Sequence, residues 1–221
     1  MSQRTKYTLS ALLFIAVLVA DQVIKVCVKT GMYLGERIEI TSWFQLVFVE
    51  NNGMAFGWEL MGGKLFLTLF RLVAVCFIGW FIAKEIQRNR PVGYIVCLSL
   101  IMAGAAGNII DCLFYGLVFN NPPYPLTAEF VPWGMGYGEL LYGRVVDMFY
   151  FPLVEWDMPQ WMPVYGGEHC VFFSPVFNFA DAAISCGIVA LILFYHNILN
   201  EYSAKPVETA KAETETTEPQ I

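Results

Sequence analysis

Four apolar runs, each of roughly the twenty residues a helix needs to cross a bilayer, dominate this chain at about 9–28, 65–86, 92–114 and 177–197. Backbone polar groups in hydrocarbon must be bonded within the segment, so runs of this length are expected to be helices. With 57% apolar residues gathered in blocks, the chain reads as a membrane α-helical protein with four transmembrane helices. The first run follows Arg4 and Lys6 like a signal peptide. No small-residue cleavage site follows it and Asp21 and Lys25 interrupt its end, so it is expected to be a retained helix.

Orientation follows from the basic residues flanking the runs. Arg4 and Lys6 precede the first, and Lys84, Arg88 and Arg90 fill the short second connection. Lys and Arg favour the cytoplasmic side, so both termini are expected there. The long connections, about 31–64 and 115–176, then lie outside. The membrane unit is expected over 1–202. From about 203 the chain turns Glu-, Thr- and Ala-rich and is expected to be a disordered acidic cytoplasmic tail. Counted from Glu201, five glutamates against two lysines supply half of the net charge of -6. No basic stripe suggests nucleic acid.

The first outer connection contains Phe44-Gln-Leu-Val-Phe-Val-Glu50, which reads as a strand, and Asn51-Asn-Gly53, a turn signal. Its exit, Met54 to Trp58, reads as interfacial. The second is Pro-rich and too long for a mere connector. Its tryptophans and tyrosines suit the headgroup layer. Most of the six cysteines fall in predicted helices, as small packing residues. Without CxxC spacing, and with only His169 beside Cys170, no metal site is expected.

Polar residues in such a chain are costly and therefore informative. Asp21 and Lys25 share a face at i, i+4 and can pair. Asn108 and Asp111 follow the small-residue run 103–107, where helices can approach closely and amide or carboxyl groups can bridge them. Asn178 and Asp181 repeat the i, i+3 spacing where the fourth run begins. Asp147, in Gly-Arg144-Val-Val-Asp, is the other carboxylate at the edge of an apolar segment. Ser-His or Cys-His catalysis lacks a suitably placed histidine, and metal hydrolysis lacks a ligand set. A carboxyl pair remains: two close carboxyls share a proton, one acting as base toward water and the other as acid. Each Asp alone could instead be a partner for Arg144, Arg71 or Lys25, and spacing leaves an Asp147–Asp181 meeting open.

In order and approximate spacing, Asp21-Gln-Val-Ile-Lys25, Glu50-Asn-Asn-Gly-Met-Ala-Phe-Gly57, Gly107-Asn-Ile-Ile-Asp111, Val145-Val-Asp147 and Phe177-Asn-Phe-Ala-Asp181 resemble the motifs of lipoprotein signal peptidase, the bacterial signal peptidase II. The resemblance implies a cofactor-free, metal-independent aspartic endopeptidase of the bacterial inner membrane. It would cut prolipoproteins before their diacylglyceryl-modified cysteine, with its site near the outer face, and be inhibited by globomycin. Partners would be these substrates and membrane lipid, with a monomeric enzyme expected. Asp147 and Asp181 would be catalytic. Asp21, Lys25, Asn51, Gly53, Asn108, Asp111, Arg144 and Asn178 would bind substrate or support the pair. The fold implied adds a small extracytoplasmic β-rich cradle and an interfacial helix.

Two departures stand out. The family usually carries Arg directly after the Asp of its third-helix motif, where this chain has Cys112; Arg144 or Arg71 is a candidate replacement. The stretch between Asp111 and Asp147 is also longer than usual. Rival readings are a proton-linked carrier, because carboxylates serve proton relays, and a noncatalytic assembly factor held by polar helix contacts.

Overall fold

A computed structural model describes residues 1–51, 63–164, 166–172 and 174–215, with backbone alone at 155, 171 and 202–215. The motif residues Asn52 and Gly53, and the segment expected to be interfacial, lie outside the described residues. Among the described residues, four helices are long and apolar enough to span a membrane: α1 (Gln3–Gly31), α2 (Gly63–Gln87), α3 (Val92–Val118) and α4 (Phe179–Glu215), whose apolar part is Phe179–Glu201.

The helices outrun the apolar runs because the polar residues at their ends find partners. The Ser2 side chain caps α1 by accepting from the Thr5 N–H at 3.2 Å. One turn on, Lys6 donates to Asn89 Oδ1 at 2.8 Å and to the Arg90 carbonyl at 2.6 Å, tying α1 to the α2–α3 turn. Arg90 in turn bridges buried Glu85 at 3.2 Å and Glu201 of α4 at 2.5 Å. After non-helical angles at Tyr195, the helical backbone continues through the acidic segment to Glu215, past the Asn197 end read from the apolar run.

α3 is the central helix. Of its most apolar stretch 61% is buried, against 22% or less for the other three. Those three turn large apolar side chains outward, such as Phe66, Val73 and Phe194, as lipid-facing helices do. Close approach of α3 to α4 and to α1 depends on glycine. A Cβ on Gly104 would collide with the Ala180 carbonyl, and one on Gly107 would lie 2.5 Å from Asp21 Oδ2.

At one end of the bundle sits an antiparallel sheet, β1 (Arg37–Thr41), β2 (Phe44–Asn51) and β3 (Val145–Tyr150), in the order β1-β2-β3. Its inner face packs Phe48, Val146 and Met148 on Val28, Met32, Tyr115 and Phe119. A register irregularity falls between Leu46 and Val49 of β2, after which Val49 pairs with Asp147, Glu50 with Val146 and Asn51 with Val145. The long connection before β3 is folded onto the body, with bridges from Phe119 to Phe130 and from Tyr33 to Thr127. Beyond β3, β4 (Val154–Asp157) and β5 (His169–Phe172) form a hairpin in which His169 meets Asp157 at 2.8 Å.

Candidate active site

Asp181 owes its position to the start of α4. Asn178 stands just before the first helical residue, and its Oδ1 accepts the Asp181 N–H at 2.9 Å while the Asn178 N–H points back to Asp181 Oδ2 at 3.4 Å. This is a reciprocal capping box, which satisfies two of the donors that a helix start leaves unpaired. A third, Ala180 N–H, donates to Asp21 Oδ1 of α1 at 2.9 Å. The i, i+3 pair is therefore a cap before it is a helix face.

Asp147 comes from β3 and is only 4% exposed. Asn178 joins the two acids: its Nδ2 donates to Asp147 Oδ1 at 2.7 Å and to Asn108 Oδ1 at 3.0 Å. Asn108 Nδ2 donates to Asp181 Oδ1 at 2.8 Å, and its Oδ1 also accepts from Lys25 Nζ at 2.8 Å. Every polar atom of the two amides has a partner, so their orientation is fixed by the network. Asn51, at the end of β2, adds a side-chain hydrogen bond to Asp147. Burial first, and then the negative charge of Asp181, pushes the Asp147 carboxyl up to about 7. Asp181 is half-buried.

Below the pair lies a buried ionic layer. Lys25 contacts Asp21 at 2.9 Å and Asp111 at 2.8 Å, and all three side chains are essentially inaccessible. Asp111 begins a π-helical turn, Asp111–Tyr115, and its Oδ2 also accepts the Val146 N–H at 3.3 Å, fastening α3 to the strand that carries Asp147. Such wide turns inside α-helices recur at functional sites.

The cations weighed as alternative partners for the two aspartates are committed elsewhere. Lys25 serves Asp21 and Asp111, and Arg144 donates to Glu50 Oε2 at 2.9 Å and Asn121 Oδ1 at 3.4 Å. Arg71 points from α2 to Cys112, with Nη1 3.9 Å from its sulfur. Of the two candidates to replace a guanidinium at position 112, Arg71 is the one standing there.

Three contributors escape sequence reasoning. Gln22 links Asp111, the Gly107 carbonyl and Tyr115. Lys29, 1% exposed, pairs with Glu50, and its ammonium lies 5.1 to 5.9 Å from the ring centres of Phe48, Phe119 and Tyr137. Lys29 and Glu50 did carry a signal: one lies a turn beyond Lys25, and the other directly precedes Asn51.

A buried, elevated carboxyl coupled to a second, half-buried one can hold one proton between them, which suits hydrolysis of a polarised carbonyl. Comparison with known proteins agrees in kind. Residues 13–197 match the family model described as signal peptidase (SPase) II. A lipoprotein signal peptidase of Porphyromonas gingivalis is 52% identical over 84% of this chain and 81% of its own. That of Amoebophilus asiaticus is 37% identical over 79% and 72%. Two solved bacterial membrane enzymes share the fold: one has a TM-score of 0.58 at 25% identity, covering 84% of this chain and 91% of its own, and the other 0.55 at 22%, covering 97% and 94%.

Proposed function

Because the chain belongs to the signal peptidase II family, the membrane peptidases of lipoprotein processing, we propose that it is a metal-independent aspartic endopeptidase that cuts prolipoproteins before their diacylglyceryl-modified cysteine. The observation that carries this reading is the junction at Asn178, which touches both Asp147 and Asp181. Asp147, whose carboxyl is raised to about 7, holds the proton. Asp181, whose carboxyl accepts amide hydrogens from Asn108 and Asn178, serves as the base.

In the proposed reaction Asp181 takes a proton from water as the water oxygen bonds to the scissile carbonyl carbon. Asp147 gives its proton to the amide nitrogen as the carbon–nitrogen bond breaks. One proton enters the pair and one leaves, so transfer of the remaining proton restores it. The substrate's acyl chains remain in the bilayer, and the sheet end of the bundle faces the outer leaflet, with both termini cytoplasmic.

The decisive assay incubates purified, detergent-solubilised protein with a diacylglycerylated prolipoprotein, with and without a chelator or globomycin. Cleavage that ignores the chelator and stops with globomycin is expected; loss of cleavage on chelation would refute the metal-independent chemistry. Activity should decline as pH rises through about 7, because the acid form of Asp147 is then lost.

Arg71 is the proposed replacement for the guanidinium that the family motif usually places at position 112, donating to a substrate carbonyl. Hydrogen bonds to charged groups contribute about 1.5–3 kcal/mol, so Arg71→Ala should raise KM by roughly ten-fold or more while Arg71→Lys recovers part. Unchanged KM in Arg71→Ala would remove Arg71 from the site.

A further inference from the structure

The geometry points to Glu50 as a positioning residue: clamped between Lys29 and Arg144, it locks the register of β2 on β3 and so holds Asn51 against Asp147. The inference rests on the proposed chemistry of Asp147 and Asp181 and adds to it a device outside the acid pair.

Side chains alternate across a strand, and residues paired across a ladder share a face. Val49, Asn51, Val145 and Asp147 therefore lie on one face of the β2–β3 ladder, and Phe48, Glu50, Val146 and Met148 on the other. The second is the core face, where Phe48, Val146 and Met148 are buried against Phe119 and Val28. Glu50 thus carries its charge into the core, directly behind the residue that touches Asp147. Its two oxygens are divided between two cations, Oε1 with buried Lys29 and Oε2 with Arg144 at 2.9 Å. Tyr137 closes the assembly. Its ring lies 5.1 Å from the Lys29 ammonium and 4.9 Å from the Arg144 guanidinium, while its hydroxyl accepts the Arg144 N–H at 2.8 Å.

Stability alone is a poor account of such a cluster, since apolar residues of similar volume usually serve a core as well as a buried ion pair does. Fixing register is the better-attested use of buried charge. Here register is at stake. Past the irregularity between Leu46 and Val49 only three residue pairs remain, and a one-residue slip would turn Asn51 and Asp147 to opposite faces. Arg144 directly precedes β3 and Glu50 sits one residue before the end of β2, so their bond staples the open end of this short ladder.

The groups acting on Asp147 are Asp181 of α4, Lys25 of α1, and the amides of Asn178 and Asn51; the last three favour its ionised form. Loosening Asn51 should therefore make Asp147 hold its proton to higher pH. In Glu50→Gln we expect kcat to fall about 10- to 100-fold, the scale of a displaced reacting group, with KM little changed and the alkaline limb of the pH profile moved upward. In an Asn51→Ala background, Glu50→Gln should add little to either effect, because both act on the same contact. Additive losses, or an unmoved alkaline limb, would overturn the lock. Should Glu50→Gln fail to fold, Arg144→Gln, which removes the more exposed partner, gives the same readings. The Asp147 titration can also be followed without turnover, as the pH dependence of the melting-temperature difference from Asp147→Asn. If Asp147→Asn proves active while Glu50→Gln still shifts that titration, the lock stands and the catalytic assignment falls.

Discussion

Asp147→Asn and Asp181→Asn are each expected to stop prolipoprotein processing while leaving a folded, membrane-inserted protein. General acid–base catalysis contributes about 10²- to 10⁴-fold, and losing Asp147 removes the acid of the pair while losing Asp181 removes its base. Asparagine keeps the shape and an acceptor oxygen, so the 2.7 Å bond from Asn178 to position 147 can survive. Folding stability should even improve in Asp147→Asn. The carboxyl titrates at its ordinary 3.8 when the chain is unfolded and at about 7 when it is folded, so the folded form binds its proton more tightly. Its favourable contribution is complete below pH 3.8 and is lost as pH rises through about 7. The asparagine variant has no such loss. It should therefore melt higher than the wild type about one pH unit above that folded-state value, and the gap should close as the pH falls toward the unfolded one. Measurable turnover by either variant at normal protein levels would reject the pair as the catalytic centre.

Lys25→Met should have the largest effect on folding. Lys25 is fully buried, with Asp21, Asp111 and Asn108 Oδ1 as partners within 2.9 Å. Deleting one member of a buried ionic group costs about 3–5 kcal/mol because the remaining charge has no compensation, and here two carboxylates are stranded. A domain's whole stability is about 5–15 kcal/mol, so low yield and a sharply reduced melting temperature in detergent are expected. The triple variant Lys25→Met, Asp21→Asn, Asp111→Asn removes the stranded charges and should recover much of the fold. It should remain poorly active, because Asn108 then lacks the ammonium that helps orient it toward Asp181. Wild-type stability in Lys25→Met would show that the layer is solvated.

Apolar length made the four spanning helices legible, and the i, i+3 spacing of Asn108 with Asp111 and Asn178 with Asp181 made much of the candidate site legible. Both signals are local, carried by residues within a turn or a single span. What escaped was tertiary. The link between Asp147 and Asp181 runs through Asn178, which reaches across from the helix cap to β3, and β3 itself was hidden in a motif too short to announce a strand. Lys29, Glu50 and Arg144 were invisible as a group because 21 residues separate the first two and 94 the last two. Helix ends were misplaced for a related reason: Lys6 and Lys29 look like boundaries until their partners at Asn89 and Glu50 are known.

The cap that α1 provides for α4 bears on biogenesis. Asp21 reaches the Ala180 N–H across 159 positions of chain, so a helix made early completes the beginning of one made much later. Asp181 sits one residue past that amide, so its proper placement waits until α1 and α4 have met. A partly assembled bundle would then hold Asp181 unplaced, and the arrangement around Asn178 would form only once α1, α3 and α4 have closed on one another.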